Sequence, residues 1–66
     1  MTIGEKIKAY ANSKGIKNTY LAEKAGVTDS KMSRILNGER EINVIEYYCI
    51  CQALDVSMEY FVEQQA

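Results

Sequence analysis

Proline, histidine and tryptophan are absent from this 66-residue chain, and cysteine occurs only twice. With no proline to break a helix, and no β-branched alternation that persists for a strand's length, the chain reads as helical throughout. With no histidine, and no Cys/His/carboxylate cluster at ligand spacing, a metal site is not expected. Cys49 and Cys51 stand two apart. On a helix that spacing turns them to different faces, so neither a mutual disulfide nor a CxxC site is plausible, and reduced thiols are expected. No apolar run approaches the ~20 residues that span a bilayer, and no apolar N-terminal segment leads to a small-residue cleavage site. A cytoplasmic protein with no membrane partner is the expectation. A Gly-rich phosphate loop, a nucleophile motif and an evidently buried carboxylate pair are missing as well. That argues against an enzyme and leaves no cofactor expected.

What is present describes an ordered domain. Hydrophobic residues make up 47% and charged residues 26%, far from the composition of a disordered chain. The length leaves room for one domain, residues 1–66, and a chain of this size buries only about 60% of the surface its unfolded form exposes. The core must therefore be economical. The formal net charge of −1 taken alone argues against nucleic acid, whose binders are usually basic. The average conceals a division: residues 1–40 hold all eight lysines and arginines against four acids, a balance of +4, and residues 41–66 hold five acids and no base. Such asymmetry suggests a polarised molecule with one face suited to polyanions.

The punctuation marks five short helices. Thr2 followed by Glu5 is a capping-box pattern, and Ile3, Ile7, Tyr10 and Ala11 then share a face until Gly15. Leu21, Ala22 and Ala25 carry a second helix to Gly26, where the lack of a Cβ suits a left-handed turn. Thr28 can cap a third, with Asp29 favoured in its first turn and Met32, Ile35 and Leu36 facing inward until Asn37-Gly38. Asn43 and Glu46 open a fourth, whose inward face is assigned to Val44, Tyr47, Ile50, Cys51 and Leu54. Asp55-Val56-Ser57 breaks and recaps, and Ser57 leads a last helix with Met58, Phe61 and Val62 as apolar positions, fraying through Glu63-Gln64-Gln65-Ala66. The fold class expected is all-α with short connections.

Two short helices joined by a tight Gly-containing turn, about residues 17–36, form a helix-turn-helix, in which the second helix lies in the major groove. Ala22 is small where the helices cross, Gly26 supplies the turn, Val27 fills the space beneath it, and Met32 and Ile35 anchor the second helix. Asp29, Ser30, Lys31, Ser33 and Arg34 are left facing outward. The stretch NTYLAEKAGVTDSKMSRILNGER resembles the helix-turn-helix of the lambda-repressor and Cro-like (XRE) regulators. The likeness lies in Leu21-Ala22, Gly26-Val27-Thr28, Met32-Ser33-Arg34 and Asn37-Gly38-Glu39-Arg40. It continues through ALDVSMEYF, about residues 3–62 in all.

The resemblance implies a lambda-repressor-like DNA-binding domain of a transcriptional regulator, a repressor, with double-stranded DNA as partner. Ser30, Lys31 and Arg34 match positions that read base edges, and an arginine fork suits guanine O6 and N7. Asn18, Thr19, Thr28, Asn37 and Arg40 match positions near phosphates. Asp29 either accepts from cytosine N4 or stabilises its own helix start.

Three features depart from the family pattern. Lys17-Asn18 stands where many relatives have Ser or Thr before Gln, so either Asn18 caps the second helix or its phosphate contact is shortened. Ala11 and Leu36 replace a partly buried Arg–Glu pair with an apolar one. The overall charge is acidic. On the fourth helix Ile45, Tyr48, Cys49 and Gln52 form a second stripe at i, i+3, i+4, i+7, and with Tyr60 nearby in sequence they make an expected homodimer patch. That arrangement fits the family's habit of binding two-fold, inverted-repeat operators. The rival reading is a protein-interaction module on the same fold, such as an antitoxin or anti-repressor target. The basic, polar outward face of the third helix favours DNA.

Overall fold

The computed structural model describes residues 1–63, and among these it contains five α-helices and no strand. They are α1 (Ile3–Lys14), α2 (Asn18–Ala25), α3 (Asp29–Leu36), α4 (Val44–Leu54) and α5 (Tyr60–Glu63). From Gln64 onward the expected frayed tail lies outside the described residues. The helix starts follow from short-range chemistry. Thr2 Oγ1 accepts the Glu5 N–H at 3.1 Å while Glu5 Oε1 accepts the Thr2 N–H at 2.8 Å. Asn43 and Glu46 repeat this capping box at α4, at 2.8 and 3.1 Å. Thr28 Oγ1 accepts the Lys31 N–H at 3.1 Å and caps α3.

Two boundaries differ from the sequence expectation. The residue that caps α2 is Lys17, extended at φ −83°, ψ 150° and without a side-chain hydrogen bond to the first turn; Asn18 is already helical and cannot be the cap. The last helix begins at Tyr60, not after Ser57. Residues 57–59 stay in a turn because the Tyr47 hydroxyl donates to the Met58 carbonyl and the Tyr60 N–H closes onto the Ser57 carbonyl at 3.1 Å.

Close pairings join α1 to α3, α2 to α3, α2 to α4 and α1 to α5. Between them lie Ile7, Ala11, Leu21, Ala22, Met32, Leu36, Tyr47, Ile50, Cys51, Leu54 and Phe61, all buried. Ala11 and Leu36, the apolar replacement for a charged pair, are both inside. Val44 is not: it is 71% exposed. Glu46, absent from any apolar count, belongs to the buried face of α4, and its inclusion turns the centre of that face away from Val44. Val62 is also exposed, since the short α5 turns the preceding Phe61 fully inward. Phe61 meets the rings of Tyr10 and Tyr60 edge-on at 5.7 and 5.0 Å. The buried stem of Lys6 brings its ammonium to 3.3 Å from the Phe61 carbonyl, so a long charged side chain supports α5 while its head is satisfied.

At Gly4 the backbones of α1 and α3 approach so closely that a Cβ there would fall 1.9 Å from the Ile35 carbonyl oxygen. That contact sets the position of α3.

Candidate nucleic-acid interface

The α2–turn–α3 unit is built as its sequence required. Gly26 is left-handed at φ 72°, ψ 31°, and its N–H closes the α2 C-terminus. The Val27 N–H then returns to the Ala22 carbonyl at 3.0 Å, and the Val27 side chain packs under the turn against the core. Met32, Ile35 and Leu36 are 0% exposed, which fixes the roll of α3 and therefore what it presents. Asp29, Ser30 and Arg34 are exposed.

Thr28, Ser30, Lys31, Arg34 and Arg40 line one shallow depression. Five of the residues matched to base or phosphate contacts are thus brought together, with three cations among them. Asn37 lies at the far end of α3, where the Lys8 ammonium donates to its Oδ1 at 2.7 Å. Asn18 and Thr19 are exposed at the start of α2. Because Lys17 supplies no side-chain acceptor there, the Asn18 and Thr19 N–H groups are available to an external oxygen. Neither residue lines the α3 depression; Thr19 borders another with Ile16, Lys17 and Tyr20.

Lys31 does not face outward freely, as its place in the sequence suggested. It is half-buried, and its ammonium lies 3.4 Å from Glu46 Oε2. The Arg40 guanidinium lies 3.9 Å from Glu46 Oε1 and donates to the Glu41 carbonyl at 3.3 Å. Burial alone would raise the pKa of Glu46, but the Asn43 N–H, Lys31 and Arg40 together outweigh it and hold the carboxyl below its ordinary value. Glu46 is therefore ionised at neutral pH. Sequence reasoning identified Glu46 as a capping residue and missed its ion pairs, and it missed Lys8 beside Asn37. Nothing local in the sequence marks either, since Lys31 and Lys8 lie far from their partners in sequence and Arg40 stands outside α4.

On α4, Ile45 and Tyr48 are 70% and 51% exposed, Gln52 is exposed and Cys49 is half-buried. Tyr48, Cys49 and Gln52 line a depression shared with Tyr20 and Lys24 of α2. Tyr60 is not part of it and rests edge-on against Tyr10 at 5.5 Å, because α5 docks on α1. Cys49 is half-buried and Cys51 fully buried, both free. Among the described residues no group of three or more His, Cys, Asp or Glu could hold a metal ion, and no helix is long and apolar enough to cross a membrane.

A helix-turn-helix family profile matches residues 7–61. Among solved structures, the crystal structure of SinR, the master regulator for biofilm formation, in complex with DNA is similar with a TM-score of 0.78. The two are 34% identical, and the match covers 92% of this chain and 98% of that one. A SinR protein/SinI protein complex is similar with a TM-score of 0.81 at 32% identity, covering 97% of this chain and 63% of that one. No curated protein sequence matches.

Proposed function

From the premise that this chain belongs to the helix-turn-helix family of lambda-repressor and Cro-like (XRE) regulators, we propose that it binds operator DNA by inserting α3 into the major groove. The protein is a DNA-binding transcription regulator. The observation that carries the assignment to α3 is the exposed Ser30 and Arg34 in a cation-lined depression, on a helix whose opposite face is wholly buried. Ser30 and Arg34 read base edges; Asn18, Thr19, Thr28, Asn37 and Arg40 fix the docking register on phosphates. Asp29 stabilises the N-terminus of its own helix. The activity is binding without catalysis, and its regulatory sense is repression.

An unbiased selection of duplex DNA by the purified protein tests this reading, with recovery of an inverted repeat as the expected result. Binding should weaken linearly in log salt, by about 0.9 per neutralised phosphate, and Arg40→Ala should reduce that slope by about 1 for each phosphate that Arg40 neutralises while weakening all sequences alike. A flat salt response would remove DNA from consideration.

Two-fold operators call for a two-fold protein. The exposed Ile45 and Tyr48 on α4 support a homodimer through that helix, and they are also the surface on which a protein-interaction function would rely. Ile45→Glu should give a folded monomer with poor operator affinity. A wild-type protein that sediments as a monomer at high concentration would assign the α4 surface to a different partner.

A further inference from the structure

The backbones of α3 and α4 make no close pairing, and the ion pair from Lys31 to Glu46 reaches from one helix to the other. We propose that Glu46 is a specificity-determining residue, whose buried carboxylate withdraws Lys31 from the nucleic-acid contacts and leaves Ser30 and Arg34 to read the groove. The proposal rests on the DNA-binding reading above.

The geometry makes the withdrawal durable. The Glu46 side chain is only 6% exposed, and its Oε1 is held at 3.1 Å by the Asn43 N–H within the capping box of α4. The carboxylate cannot swing out to water without giving up its half of that capping box. Lys31 is its nearest cation at 3.4 Å, closer than Arg40 at 3.9 Å. A lysine that left for a phosphate would take its nearest cation from a buried charge, which is less favourable than breaking an exposed pair. Lysine is also the cation whose loss matters most for selectivity: its ammonium is a mobile point charge that reaches any phosphate, whereas the Arg34 fork demands a matching base edge. Holding Lys31 back thus lowers sequence-independent attraction while sparing readout. Arg40 differs because only one of its terminal nitrogens is engaged by Glu46 and the Glu41 carbonyl. Its remaining donors stay available.

Glu46→Gln isolates the charge, since glutamine can still accept the Asn43 N–H and complete the capping box. Binding is measured across salt concentrations on the selected operator and on a mixed-sequence duplex, after a thermal melt has shown each variant folded. Expected for Glu46→Gln is tighter mixed-sequence binding, a salt slope steeper by about 0.9 per subunit, and a reduced ratio of operator to mixed-sequence affinity. Glu46→Gln with Lys31→Gln should return the slope to the wild-type value. Lys31→Gln alone should leave it unchanged, a result that does not depend on Glu46→Gln folding. If Lys31→Gln alone flattens the slope by about 0.9, or Glu46→Gln leaves slope and selectivity as in wild type, Lys31 is not withdrawn and the proposal is wrong. Failure of the wild type to bind either duplex would overturn the DNA-binding reading itself, and the proposal with it.

Discussion

Replacing Gly4 with alanine is expected to lower the melting temperature by about 10–25 °C, the opposite of what the same change does in most helices. Gly4 is the second residue of α1, and alanine in a helix is normally favoured over glycine by about 1 kcal/mol. Here the added methyl would lie 1.9 Å from the Ile35 carbonyl oxygen and 2.8 Å from its carbonyl carbon. Both are backbone atoms of a helix whose side chains are locked in the core, so neither can yield as a flexible side-chain end would. Either α1 or α3 must move, and overpacking of this kind costs about 3 kcal/mol where repacking is poor. At 4–8 °C for each kcal/mol, roughly, in a domain of this size, that gives the expected fall. It is a large share of the ~3–10 kcal/mol that a chain of this length holds in total. Thermal unfolding followed by circular dichroism measures it directly. An unchanged or higher melting temperature would mean that α1 can slide off α3 freely, and then the close approach does not position the recognition helix.

Arg34→Ala should weaken binding to the selected operator by about 1–3 kcal/mol, roughly 5- to 150-fold in Kd, with little change on random duplex. The guanidinium is exposed, and the ion pairs among the described residues engage Lys31 and Arg40, leaving it uncommitted. Its removal leaves no buried group without a partner, and alanine is a good helix former. The melting temperature should therefore stay within a degree or two of wild type, roughly, as for a surface substitution away from structural features. Titration of wild type and variant on operator and on random duplex separates the alternatives. Equal losses on both would place Arg34 on a phosphate, and Ser30 would become the leading base reader.

Much of the site was legible because its determinants are local. Thr28 caps α3 through an N–H three residues away, Gly26 turns the chain within a single residue, and Met32, Ile35 and Leu36 select the buried face by helical period alone. Once those are known, the outward placement of Ser30 and Arg34 follows from geometry. Lys31 shows where this stops. Periodicity puts it beside Ser30 and Arg34, yet a lysine stem is long enough to bend toward whatever charge a distant helix supplies. That charge is Glu46, visible in the sequence only as half of a capping box. Tyr60 is parallel: closeness in sequence suggested the α4 patch, while the ring of Tyr10 on α1 takes it.

By itself, then, the sequence determined the number and kind of helices, most of their caps, most of the core and the face that α3 presents. Hydrogen bonds over three or four residues and the period of the helix need no knowledge of neighbours. Only the tertiary structure decided which charged groups meet and how close the helices lie. The 3.4 Å pair between Lys31 and Glu46, the exposure of Val44 and the contact of Gly4 with Ile35 depend on how separate helices are rolled and spaced against one another. That arrangement is settled by packing the whole core at once, because the position of each helix is set by side chains contributed by the others.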